Sequence, residues 1–265
     1  MIRIHLLLFL CLSGIVSAQS GDFFDFEHTV RLDVYHTGTE QEEAYSIDQA
    51  YLQDDWPGSH VNLIDTLNLG VYQMRVYKEN TDSLMFSSGY CCVFQEWQTT
   101  RLAAEQRATF HETLRFPCPV SPVDVVIVRR RDGVFADTVF SARIDPDSRF
   151  VNREGKRYDF KVRKIQKNGP SAHKVDLVIV GDGYTRKELS LFHEHVDRYT
   201  RALFETRPFS AYRDDFNIWA VDVISMDSGI DEPREGKWKR TPIDTRYNSL
   251  DLPRYVLAHK NKALH

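Results

Sequence analysis

The stretch VDLVIVGDGYT, residues 175–185, constrains the fold more than any other part of the chain. An apolar run of strand length is closed by Gly181-Asp182-Gly183, and Thr185 with Glu188 then supplies the T-x-x-E pattern that caps a helix start from both sides. Apolar residues recur at 189, 192, 196, 199 and 203, which is one face of a helix over 185–204. A second apolar run covers 216–224. Strand, helix and strand in that order predict a parallel unit with a right-handed crossover.

The glycine loop does not read as a phosphate cradle. The dinucleotide fingerprint needs a third glycine where this chain has Arg186, and the phosphate-loop pattern G-x-x-x-x-G-K is absent. Asp182 would also repel a phosphate at the same helix end. A carboxylate there suits helix amides, or a cleft at the carboxyl end of the strand, where open α/β sheets place ligands.

Upstream the texture differs. The segments 29–36, 71–78, 84–94, 123–130 and 134–144 are rich in Val, Tyr, Phe and Ile and are separated by turn formers such as Asp132-Gly133. Many short strands with turn signals predict an antiparallel β-sandwich. The segment 103–114 admits a helix, but the Thr and Phe content around 109–116 favours a strand. Past Asp145-Pro146 the pattern turns to α/β, with further strands at 158–165 and 174–180. The predicted class is therefore α+β in two domains, with the sandwich over 19–148 and an α/β domain over 149–265.

Residues 1–18 carry a basic Arg3, a short apolar stretch and Val16-Ser17-Ala18 before Gln19. That is a signal-peptide pattern cleaved near Ala18, and it predicts a secreted, periplasmic or cell-surface protein. The lipoprotein alternative needs small residues before Cys11, which instead follows Leu8-Phe9-Leu10. No segment is long enough to span a membrane. The formal net charge of −4 gives no footprint for a nucleic-acid partner, which clustered Lys and Arg would supply. Arg129-Arg130-Arg131 reads as a solvated strand end before the Asp132-Gly133 turn. Cys91, Cys92 and Cys118 are too few for a disulfide scaffold. Neighbouring cysteines on a strand face opposite ways, so Cys91 and Cys92 do not pair with each other, and one of them reaches Cys118 only if the compartment oxidises it.

Two His-Glu pairs invite comparison with the zinc-peptidase helix H-E-x-x-H. His193-Glu194-His195-Val196-Asp197 reads H-E-x-x-D on a helix whose buried face carries Phe192 and Val196, so a solvated polar face is expected there. His111-Glu112 is followed by Arg115 in a strand-like segment. No G-x-S-x-G elbow occurs. The acidic stretch DSGIDEPRE, 227–235, lacks the ligand spacing of an EF-hand and is read as a surface loop that could form a cleft wall.

Several ordered segments resemble the secreted zinc metallopeptidases of the IgA-peptidase family. In the second domain these are KVDLVIVGDGYTRKEL, RPFSAYRDDFNIWAVDVIS, SGIDEPREG and DLPRYVLA; in the first, RLDVYHTG, WPGSHVNLIDTLNLGVY and FQEWQTT are similar to the all-β domain that precedes the peptidase domain. GYCCVFQEW departs from it in its paired cysteines and Gln95. The resemblance implies zinc for the complete family enzyme, a protein or glycoprotein substrate, and an H-E-x-x-H helix beyond AHKNKALH. Residues 1–265 contain no such helix, so the α/β metallopeptidase domain is expected to be incomplete here. No residue carries over as a catalytic group or metal ligand. No stoichiometric catalytic zinc and no peptidase activity are expected of these residues. Gly181, Asp182, Gly183 and Asp231 are the candidate cleft-lining residues. The rival expectation is a secreted β-sandwich module binding a glycan or protein, with Trp56, Trp97, Trp219 and Trp238 available to it.

Overall fold

The computed structural model describes residues 23–153 and 160–265. The expected signal peptide, and Tyr158 of the expected strand at 158–165, lie outside the described residues. The first domain runs β1 (Phe24–Gly38), β2 (Glu43–Asp54), β3 (Tyr72–Lys78), β4 (Leu84–Tyr90), α1 (Val93–Gln98), α2 (Arg101–Glu105), β5 (Ala108–Pro119), β6 (Val123–Arg131), β7 (Val134–Ile144) and β8 (Val151–Asn152). Two four-stranded sheets, ordered β5-β1-β2-β8 and β4-β3-β6-β7, face each other as a sandwich. Every pairing among β1 to β7 is antiparallel, and only the two-residue β8 joins β2 in parallel.

Alternation explains the core. Val30, Leu32 and Val34 of β1 share a face with Leu114 and Phe116 of β5, and meet Tyr72, Met74 and Val76 of β3 and Val123, Val125 and Ile127 of β6. Full burial of such side chains contributes about 1.5–3 kcal/mol each, which makes this layer the main source of stability. The β6–β7 turn places Asp132 and Gly133 at φ 49° and 84°, the twist that suits a two-residue hairpin.

Three expectations need correction. The strand expected over 84–94 ends at Tyr90, because Phe94 and Trp97 turn into α1 to pack with Ala103. Cys91 and Cys92 therefore lie in a link between strand and helix, and all three described thiols are free. The arginine run is solvated only at its tip: Arg131 stays 70% exposed beside Asp137, whereas Arg129 binds Glu43 at 2.6 Å and Arg130 holds the carbonyls of Gly70 and Asn68 at 2.8 Å. β2 was not anticipated at all.

The second domain contains β9 (Lys161–Gln166), β10 (Val175–Val180), α3 (Leu189–Glu205), β11 (Phe216–Asp222), β12 (Thr245–Arg246) and β13 (Leu257–Ala258). β10 and β11 pair in parallel with α3 as the crossover, and β9 adds antiparallel to β11. The capping box forms as the sequence predicts, with Glu188 Oε2 accepting from the Thr185 amide at 2.9 Å and hydroxyl at 2.6 Å. Phe192 and Val196 of α3 bury against Ala220, with Ile179 and Ile165 alongside.

Candidate functional site

The loops that leave the carboxyl ends of β10 and β11 are knitted together. Gly183 donates its amide to Ser225 Oγ at 2.8 Å and accepts from the Gly229 amide at 2.8 Å, while the Ser225 amide reaches the Tyr184 carbonyl. Gly183 stands at φ 78°, and a Cβ there would lie 2.6 Å from the Gly229 carbonyl oxygen. At Gly181 a Cβ would come within 3.0 Å of the Phe192 ring, so this glycine lets strand and helix approach.

Asp182 does not serve the helix start, where Thr185 and Glu188 bond each other. It reaches across to 241–245, accepting from Thr241 Oγ1 at 2.9 Å, the Thr245 amide at 3.0 Å and the Ile243 amide at 3.3 Å. Asp231, in the loop read from sequence as a surface feature, is 3% exposed. Its carboxylate accepts from the Lys239 amide at 2.6 Å, and its backbone bonds Thr245 and Tyr247. Asp182 and Asp231 thus fasten the same segment, 239–247, over the ends of the parallel strands.

The polar face of α3 is engaged with its neighbours. His193 Nε2 meets Asp222 Oδ1 at 2.7 Å, His195 Nδ1 meets the Tyr184 hydroxyl at 2.7 Å, and Asp197 lies 3.5 Å from Arg163. A catalytic zinc needs imidazoles whose nitrogens converge, one helical turn apart. These two rings are two residues apart and committed to different elements, so the α3 residues do not fit that metal.

Two clusters inside the first domain escaped sequence reasoning. In one, His36 is fully buried and stacked between Tyr45 and Phe94, with ring centroids 3.8 and 3.7 Å away. Its Nδ1 lies 2.8 Å from Glu112 Oε1 and its Nε2 3.0 Å from Glu43 Oε2. Burial alone would lower the His36 pKa, yet Glu112 and Glu43 together raise it. Burial, with Glu112 adding to it, pushes the Cys92 thiol well above its ordinary range. In the other cluster His111 Nε2 is 3.6 Å from both Asp33 and Asp48. Asp33 is already clamped by Arg31 at 2.9 and 2.7 Å and takes the Thr113 hydroxyl, and Asp48 pairs with Lys262. Those cations disfavour a further one. The only sequence hint of the first cluster is parity, since His36 falls on the same β1 face as Val30, Leu32 and Val34.

A cavity of about 500 Å³ opens between the edge strands β4 and β5, lined in part by Tyr90, Cys92, Glu112 and Leu257. The tryptophans form no common platform: Trp56 packs on Phe86, Trp97 on Phe94, Trp219 sits in β11, and Trp238 lies under Arg246.

Family profiles match both halves of the chain. The profile described as Peptidase M64 N-terminus matches residues 22–141, and that described as IgA Peptidase M64 matches residues 163–265. The chain belongs to the IgA-peptidase M64 family. Its two matched regions correspond to the sandwich and to the α/β domain of this M64 protein. No curated protein matches the chain. M64 is a metallopeptidase family, and among the described residues of this member no helix is long and apolar enough to cross a membrane.

Proposed function

We propose that this chain is the N-terminal portion of a secreted zinc-dependent metallopeptidase acting on a protein or glycoprotein. Residues 1–18 are its signal peptide, 19–148 its β-sandwich domain and 149–265 the first part of its peptidase domain. In such an enzyme the zinc polarises the scissile carbonyl and a glutamate activates water. The sequence has no H-E-x-x-H segment, and the imidazoles of α3 do not converge, so these residues do not hydrolyse peptides by themselves.

Their part in the enzyme is to shape the wall of the cleft. The observation that carries this reading is the grip of Asp182 on 241–245, which holds a rigid rim where α/β sheets receive ligands. Gly181 and Gly183 let the backbone turn tightly beneath that rim, and Asp231 fixes its far side.

The test is a protease assay on the purified, untagged chain with a fluorescent protein substrate and added zinc. No turnover above the blank is expected, and hydrolysis that a chelator abolishes would overturn the reading. For export, the expected mature N-terminus is Gln19, and retention of residues 1–18 in the exported protein argues against it.

A further inference from the structure

We propose that His36, Cys92 and Glu112 of the β-sandwich bind one thiophilic divalent cation, with zinc as its probe, through His36 Nδ1, Cys92 Sγ and a Glu112 carboxylate oxygen. The site lies wholly in the first domain and does not depend on the peptidase reading.

The ligand atoms already lie within 4.8 Å of one another. His36 Nδ1 is 2.8 Å from Glu112 Oε1 and 3.9 Å from Cys92 Sγ. Tetrahedral zinc, with its usual bond lengths to nitrogen, oxygen and sulfur, spaces its ligands about 3.3–3.6 Å apart. Shifts of well under 1 Å, on the order of 0.5 Å, open the first distance and close the second.

The surroundings are those of a supported metal ligand. A ligating histidine ordinarily gives its second nitrogen to a carboxylate that is itself held. His36 Nε2 meets Glu43 at 3.0 Å, and Glu43 in turn takes the Tyr72 hydroxyl at 2.8 Å and Arg129 at 2.6 Å. Tyr45 and Phe94 fix the plane of the ring from both sides. Glu112 Oε2 is buried without a hydrogen-bond partner, an acceptor left over for an ion. The cavity between β4 and β5 reaches both Cys92 and Glu112, and gives the ion an entry path and room for a water as fourth ligand.

Charge balance permits the exchange. Without metal, both ring nitrogens of His36 face carboxylate oxygens, Glu112 at Nδ1 and Glu43 at Nε2, so each donates a proton, and this ring and Arg129 stand against Glu43 and Glu112. A divalent ion entering displaces the Nδ1 proton of His36 and the thiol proton of Cys92. Two positive charges arrive and two leave to solvent, so the buried site keeps its net charge and avoids the cost of an uncompensated ion.

The decisive experiment is cobalt and zinc titration of the untagged full chain under reducing conditions. We expect one cobalt per chain with a thiolate-to-cobalt charge-transfer band that zinc removes. Cys92→Ser should abolish the band and weaken binding at least tenfold, while Cys91→Ser, at the exposed neighbour, retains both. Should Cys92→Ser fail to fold, X-ray absorption on the zinc-loaded natural chain decides: one sulfur neighbour is expected. A shell of nitrogen and oxygen alone, a band that follows Cys91, or no stoichiometric binding overturns the proposal.

Discussion

His193 on α3 and Asp222 at the end of β11 meet at 2.7 Å, joining the crossover helix to the second parallel strand. The Asp222 side chain is only 5% exposed, so the imidazole accounts for its hydrogen bonding on that side. His193→Ala is expected to leave a buried carboxylate unpaired and to cost about 2 kcal/mol. Urea unfolding checks this, and an unchanged midpoint would show that the pair is incidental.

Asp182 gathers three donors from a segment some sixty residues further along the chain. Asp182→Ala should cost about 2 kcal/mol and release the Ile243 and Thr245 amides to faster hydrogen exchange, with helix α3 protected as before. If α3 loosens equally, Asp182 supports the whole domain rather than the rim.

Gly183 and Gly133 both have positive φ, at 78° and 84°, but only Gly183 faces another backbone. Gly133→Ala meets nothing within 4 Å and should cost about 1 kcal/mol for the left-handed conformation alone. Gly183→Ala should be worse by at least about 1 kcal/mol, since its Cβ would displace the Gly229 carbonyl. Equal melting temperatures for the two variants would contradict the close approach.

Glu188 has its carboxyl held at about 2 by the Thr185 hydroxyl, then the Thr185 amide and the Ser228 hydroxyl. A folded pKa below the ordinary 4.5 means that its contribution is complete above 4.5 and is lost as pH falls from there through about 2. NMR titration of the Glu188 side chain should show a midpoint near 2 in the native chain. Thr185→Ala should move it back toward 4.5, and a native midpoint already near 4.5 would refute the capping box.

What the sequence revealed follows from how local each signal is. The β10–α3–β11 unit was legible because apolar period, glycine turn and T-x-x-E agree within fifty residues. β2 was hidden because the alternation of Tyr45 and Ile47 in EAYSIDQAYLQD is broken by a register shift before Ala50 and Leu52, and none of its residues is fully buried even though it lies inside a sheet. α1 and α2, at 6 and 5 residues, are too short to show a helical period. The His36, Cys92 and Glu112 cluster joins residues from three distant segments, and no linear motif can announce such a meeting. Asp182 was visible as a carboxylate at a strand end, but its partners near 241–245 became evident only in three dimensions.

The last described turn rests on the first domain: Arg31 donates to the His265 carbonyl at 2.8 Å, Asn261 to the His111 carbonyl at 2.7 Å, and Lys262 pairs with Asp48. The Arg31 contact closes a loop of 234 residues. Loop-closure entropy makes so distant an encounter slow unless local structure has already drawn the ends together. The sandwich, synthesised first, offers residues 261–265 a ready platform, since Arg31, Asp48 and His111 all lie on its β5-β1-β2-β8 sheet.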